Sequence, residues 1–145
     1  MSKSNAWETD LLKLLFQNID AANIGDAGGL RGSLAAGNLY VSLHSADPGE
    51  AGDQTTNEVA YTGYARVAVA RSAGGWAVSG NTVNPVASID FPQCTGGSVT
   101  ATHFGIGTSA SGAGKLLYSG TVTPNIPIAN GVVPKLTTAS AITED

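Results

Sequence analysis

Asn38-Leu39-Tyr40-Val41-Ser42-Leu43-His44 is the stretch that decides the fold class. Leu39, Val41 and Leu43 alternate with Tyr40, Ser42 and His44. Successive side chains of an extended chain point to opposite faces, so this alternation predicts a half-buried strand with three aliphatics toward a core. Downstream lies a polar loop, residues 45–58, that holds four of the eleven acids and no base. Residues 64–71 repeat the strand pattern, with Tyr64, Arg66, Ala68 and Ala70 facing away from Ala65, Val67 and Val69.

Turn signals then recur every few residues. Gly74-Gly75 precedes a short strand at 76–78, and Gly80 separates it from 81–83. Further strands are expected at 86–91, closed by Pro92, and at 99–106. Another is expected at 116–122, broken near Gly120. Asn130-Gly131 is a two-residue hairpin signal between Ile126-Pro127-Ile128 and Val132-Val133, and a last strand is expected at 135–142. Pro124, Pro127 and Pro134 confine this last third to edge-type or interrupted strands, because proline donates nothing to a ladder. About eight short strands at this spacing predict an antiparallel, jelly-roll-like β-sandwich rather than a parallel α/β sheet.

Upstream, the period changes to that of a helix. Asn5 reads as an N-cap, with Glu8 three residues later as its capping-box partner. Trp7, Leu11, Leu14, Leu15 and Ile19 form an apolar stripe that Leu12 and Phe16 broaden. A stripe this wide is expected either to pack within the fold or to dock on a neighbouring subunit, since each buried Leu or Phe contributes roughly 1.5–3 kcal/mol. Residues 24–37, with five glycines, read as a flexible connector. The expected organisation is one domain over 1–145, with the helix and the start of the connector in 1–24 and the sandwich in 38–145.

Composition narrows the functional classes. The chain has 145 residues, enough for one real core. Charged residues make up 12%, against a usual share of about 25%. A surface so poor in charge is one that partners are expected to cover. A net charge of −4 with seven scattered Lys and Arg does not favour a nucleic-acid polyanion. The single Cys94 excludes an internal disulfide and reads as a small buried hydrophobe. The N-terminus lacks an apolar run behind a positive start, so no signal peptide is expected, and no run reaches the ~18 apolar residues of a membrane helix.

Residues that could carry chemistry are few. His44 stands in the order His44-Ser45-Ala46-Asp47, but sequence neighbours cannot bring nucleophile, base and orienter to one point. His103 falls inside an expected strand and reads as a surface or contact histidine. Asp47, Glu50 and Asp53, three apart in a glycine-rich loop, could offer oxygen ligands to calcium. They do not follow the EF-hand order, and solvated loop acids are the simpler reading. The glycines around Gly107, Gly112 and Gly114 lack the order of a phosphate loop. Tyr61 and Tyr64 flank a bend at Thr62-Gly63 and would suit sugar stacking, although edge packing is the commoner use. No catalytic residue and no cofactor is expected.

Five segments carry a resemblance: Leu39-Tyr-Val-Ser-Leu-His-Ser-Ala-Asp-Pro-Gly-Glu, Tyr61-Thr-Gly-Tyr-Ala-Arg, Gly75-Trp-Ala-Val-Ser-Gly-Asn, Phe91-Pro-Gln-Cys-Thr-Gly-Gly and Thr102-His-Phe-Gly-Ile-Gly. With the leading helix and the Thr-Glu-Asp end, they resemble small phage virion proteins often labelled tail fibre proteins. The chain also resembles the jelly-roll cement, or decoration, proteins of tailed-phage heads. That resemblance implies a structural protein on the outer capsid surface of the virion, made in the bacterial host cytoplasm. It further implies a homodimer or other small oligomer bridging major capsid protein subunits against the pressure of packed DNA, with no direct contact to nucleic acid or membrane. Trp7, Leu11, Leu15, Tyr40, Tyr61 and Tyr64 are the expected contact residues, and exposed strand edges offer main-chain hydrogen bonds to a partner. The competing readings are a tail or fibre component, a carbohydrate-binding module for host recognition, and a glycan hydrolase, which would need two carboxylates ~5–9.5 Å apart.

Overall fold

A computed structural model describes residues 2–144. One helical segment leads the chain: α1 (Asn5–Leu12), continued by a π-helical turn (Lys13–Gln17). Nine strands follow: β1 (Asn38–His44), β2 (Val67–Ala70), β3 (Trp76–Ser79), β4 (Thr82–Pro85), β5 (Ile89–Asp90), β6 (Ser98–Gly107), β7 (Leu116–Ala129), β8 (Lys135–Leu136) and β9 (Ile142–Thr143). Strand takes 38% of the chain and helix 9%, so the protein is mainly β with one N-terminal helix and antiparallel sheets. The chain divides into two compact units, each with its own hydrogen bonds and its own buried side chains.

The first unit takes the described residues of Met1–Asn38, with Val69–Ser88 and the described part of Thr137–Asp145. Its sheet runs β3-β4-β9, and α1 lies against β3 and β4. The cap is Ser4 rather than Asn5: Ser4 has extended backbone (φ −82, ψ 150) and its hydroxyl accepts from the Trp7 amide at 3.4 Å. Asn5 is already helical, so Glu8 sits one residue too far along to close a capping box. The stripe also differs from the expected one. Leu12 and Phe16 are fully buried, Trp7, Leu11, Leu14 and Leu15 are half-buried, and Ile19 is 46% exposed. The π turn accounts for this, since its wider i→i+5 bonding rotates the register and the left-handed Asn18 (φ 58) ends the helix before Ile19. Phe16 meets Trp76 edge-on at 4.9 Å, and the Gln17 amide donates to the Trp76 carbonyl at 2.8 Å.

The glycine-rich connector is tied down rather than loose. The Arg71 guanidinium donates to the carbonyls of Leu15 (2.7 Å), Leu14 (2.8 Å) and Ala36 (3.0 Å). A cation at the helix C-terminus satisfies carbonyls that the last turn leaves free and opposes the negative end of the dipole. Ala21 and Leu30 exchange two backbone bonds of 2.9 Å, which closes the segment between them.

The second unit takes Leu39–Ala68 and Ile89–Leu136. Its main sheet has the order β1-β6-β7, with both pairs antiparallel and with Val67 and Ala68 of β2 on the other side of β1. β5 and β8 form a separate antiparallel pair. Leu39, Val41 and Leu43 are buried as the alternation predicts, but Ser42 and His44 on the other face are buried too. β1 is an inner strand covered on both sides at its C-terminal end, which a single alternating stretch cannot reveal.

The last third departs most from expectation. β7 is one fourteen-residue strand, and Gly120 does not break it. Its interruption lies further on, where residues 122–125, including Pro124, bulge out opposite Thr102. Asn130-Gly131 does form a turn, but Val132-Val133 does not return beside Ile128. Ile128 pairs instead with Val99, and the Val132 carbonyl accepts from the Cys94 amide at 2.8 Å. The strands expected at 86–91 and 135–142 shrink to two-residue pieces between prolines 85, 92 and 134.

Candidate interaction site

The end of β1 anchors a set of buried polar groups in the second unit. Ser42 and His44 point to the same face, two residues apart, and both are fully buried. His44 Nδ1 lies 2.8 Å from the Thr56 carbonyl, so Nδ1 carries the proton and Nε2 accepts from the Ser42 hydroxyl at 2.8 Å. Burial pushes the imidazole below its ordinary value, against the pull of the Thr56 carbonyl and of Glu58. Sequence inspection weighed His44 with Ser45 and Asp47, but the histidine's partner is Ser42. Ser45 turns to the Asn57 carbonyl, and a carbonyl rather than a carboxylate holds Nδ1.

Beside this pair stands an ion cluster. Arg66 meets Glu58 through two bonds of 2.7 Å, with only 3% of its side chain exposed. Arg66 also donates to the carbonyls of Ser109 (2.9 Å) and Gly112 (2.8 Å). The Glu58 hydrogen bond raises the Arg66 pKa, and the forked geometry matches the carboxylate. The Tyr64 hydroxyl donates to Glu58 at 2.8 Å and accepts from the Leu43 amide at 3.1 Å. Burial drives that hydroxyl far above the phenol range. The cluster clamps the loops at 45–58 and 107–115 onto β1. Gln54 completes the clamp: its Oε1 accepts from the Ser109 amide at 2.9 Å, and a Cβ at Gly107 or Gly114 would collide with its side chain.

The expected contact residues divide between the units. Trp7, Leu11 and Leu15 are half-buried on the helical segment of the first. Tyr40, Tyr61 and Tyr64 belong to the second, where Tyr40 is half-buried. Tyr61 is only 5% exposed and donates to the Pro92 carbonyl at 2.7 Å. Its ring meets Tyr64 edge-on at 5.3 Å, and Tyr64 stacks on Phe91 at 6.3 Å. Tyr61 is thus packed inward, whereas Tyr64 is half-buried, and both line a shallow hollow with Glu58 and Val59.

Two of the three loop acids serve their own loop. Asp47 accepts from the Gly49 amide at 2.9 Å, and Asp53 accepts from the Thr55 amide (2.8 Å) and hydroxyl (2.6 Å). Those Thr55 bonds hold the Asp53 carboxyl below its ordinary value. Among the described residues no three His, Cys, Asp or Glu side chains gather as a metal site.

A cleft of about 470 Å³ opens on this unit. The loop with Asp47 and Glu50 lines it, together with residues 116–121 of β7 and His103 of β6. Sequence inspection named the loop acids but not β7, because leucine-rich and small residues there carry no motif. The signal that was legible was the cluster of prolines marking an edge.

No helix among the described residues is long and apolar enough to cross a membrane. A family model covering residues 2–143 places the chain among phage virion structural proteins. The chain belongs to the family described as Podophage GP4 fiber I protein gp80. No curated protein matches it.

Proposed function

We propose that this chain is a non-catalytic structural subunit of the fibre apparatus of a phage virion, held in place by contacts with other virion proteins. The observation that carries this reading is the family match, whose description names a fibre protein and which runs through both compact units. The geometry agrees. The one serine–histidine pair on β1 is sealed from solvent, and the Glu58 carboxylate is bound by Arg66 and Tyr64. Groups so engaged hold loops in place; they are not poised for substrate.

A head-decorating role is the second reading, favoured by the chain's resemblance to jelly-roll cement proteins. Gold-labelled antibody against the chain, applied to intact particles and viewed by electron microscopy, separates the two. Label on the fibres supports the proposal, and label spread over the head moves the subunit to the capsid surface. Incubating the purified protein with host envelope polysaccharide should release no new reducing ends. Release abolished by Glu50→Gln would make the chain an enzyme instead.

A further inference from the structure

The backbone of β7 carries an unfilled binding edge, and its position follows from the hydrogen bonds of β1. The Leu43 amide donates to the Tyr64 hydroxyl and the Leu43 carbonyl accepts from the Val59 amide, so Leu43 turns its backbone away from β6. In an antiparallel ladder the direction alternates residue by residue. Ser42 and His44 therefore bond toward β6, through their partners Gly105 and His103. Phe104 and Ile106 must then bond toward β7, through Gly120 and Tyr118. Ser119 and Thr121 are left with N–H and C=O groups directed outward. Both residues are exposed, and β7 ends the order of its sheet.

The cleft lies along this edge. A hollow on one face of a strand is lined by alternate residues, whereas this one is lined by six in succession, 116–121. Its opposite wall brings the carboxylates of Asp47 and Glu50, and no lysine or arginine lines it. Glu50 makes no ion pair among the described residues, and Lys115, next to the strand in sequence, is not part of the lining.

We propose that this cleft is a strand-addition site for an extended, lysine- or arginine-bearing segment of another virion protein. The segment lies beside β7, exchanges main-chain bonds with Ser119 and Thr121, and sets its basic side chains against Asp47 and Glu50. Main-chain bonds supply affinity in such additions, and side-chain pockets supply selectivity. Acidic loop residues choose the charge of the segment and speed its encounter. This inference rests on the structural reading above and names the surface and the partner chemistry.

The test uses the full chain and a short fluorescent peptide in which Lys alternates with Thr and Val, with a Glu-for-Lys peptide as control. Anisotropy titration should show the Lys peptide binding at least about tenfold more tightly than the Glu peptide. Ser119→Pro, which deletes one outward N–H, should weaken binding about tenfold, and Glu50→Gln roughly threefold. Glu50→Gln touches no buried group, so it remains informative if the proline variant folds poorly. Equal binding of both peptides, no binding of the Lys peptide, or indifference to both substitutions would overturn the site. So would concentration-dependent protection of the Ser119 and Thr121 amides in the protein alone, which would make a second copy the occupant. The peptide result does not depend on where the antibody label falls, so a failed edge and a failed fibre assignment are distinguishable.

Discussion

β1 and β7 belong to one sheet and use the same chemistry in opposite ways. β1 is inner, and its last four residues are buried on both faces. Its backbone is bonded on both sides, and its two buried polar side chains, Ser42 and His44, bond each other or a neighbouring loop. β7 ends the sheet, is half-buried or exposed at every residue but Ile128, and leaves the outward groups of Ser119 and Thr121 without a bond to the described residues. The contrast separates stability from association. Buried groups on β1 must be satisfied within the chain, because an orphaned polar group costs about 1–3 kcal/mol. Edge groups on β7 are met by water until a partner replaces it.

The largest effect should come from placing proline in each strand. Ser42→Pro removes a ladder bond and takes the hydroxyl from His44, so it should cost about 4 kcal/mol or prevent folding. Ser119→Pro should cost less than about 1 kcal/mol, because the deleted N–H faces outward. Urea denaturation of the two variants reads the difference, and equal costs would break the comparison. Next comes the clamp on β1: Arg66→Met leaves Glu58 with the Tyr64 hydroxyl but without its cation, and should cost about 3 kcal/mol in the same assay. Gly107→Ala forces a methyl against Gln54 and should cost about 1–3 kcal/mol, with the 107–115 loop becoming more open to proteolysis.

The smallest effect concerns pH. Burial holds His44 below the ~6.5 of an unfolded histidine, while Glu58 pulls upward and Arg66 and His103 push downward. As pH falls, the unfolded chain takes the proton first. The stability tied to neutral His44 is therefore complete above about 6.5 and declines as pH drops toward the folded-state value. The urea midpoint should fall between about pH 7.5 and 5.5, and His44→Gln should flatten that slope. A slope unchanged in the variant would assign the effect to other groups.

Much of this sheet was legible in the sequence. The alternation at 38–44 and 99–106 places β1 and β6 within a residue or two, because a half-apolar strand has only one way to face a core. The prolines marked the last third as an edge. What stayed hidden depends on neighbours distant in sequence. Nothing near Ser42 tells that both faces of β1 are covered, since the cover comes from the loop at 45–58 folding back. Nothing in 116–129 tells that β6 is long enough to pair with both halves of β7 across a bulge. The shift of the cap from Asn5 to Ser4 is a contest between two good capping residues, decided by backbone geometry. Of the site, the loop acids were visible as acids. Which stretch of that edge they face was not, because it is a property of topology.

The most direct measurement is amide hydrogen exchange of residues 116–121, compared between the purified chain and the same chain in intact virions. The account predicts fast exchange at Ser119 and Thr121 in the free protein and strong protection in the particle, while Ser42 and Gly105 are protected in both. Fast exchange at Ser119 and Thr121 in the particle would contradict it, because the edge would then be open in the place where its partner should be.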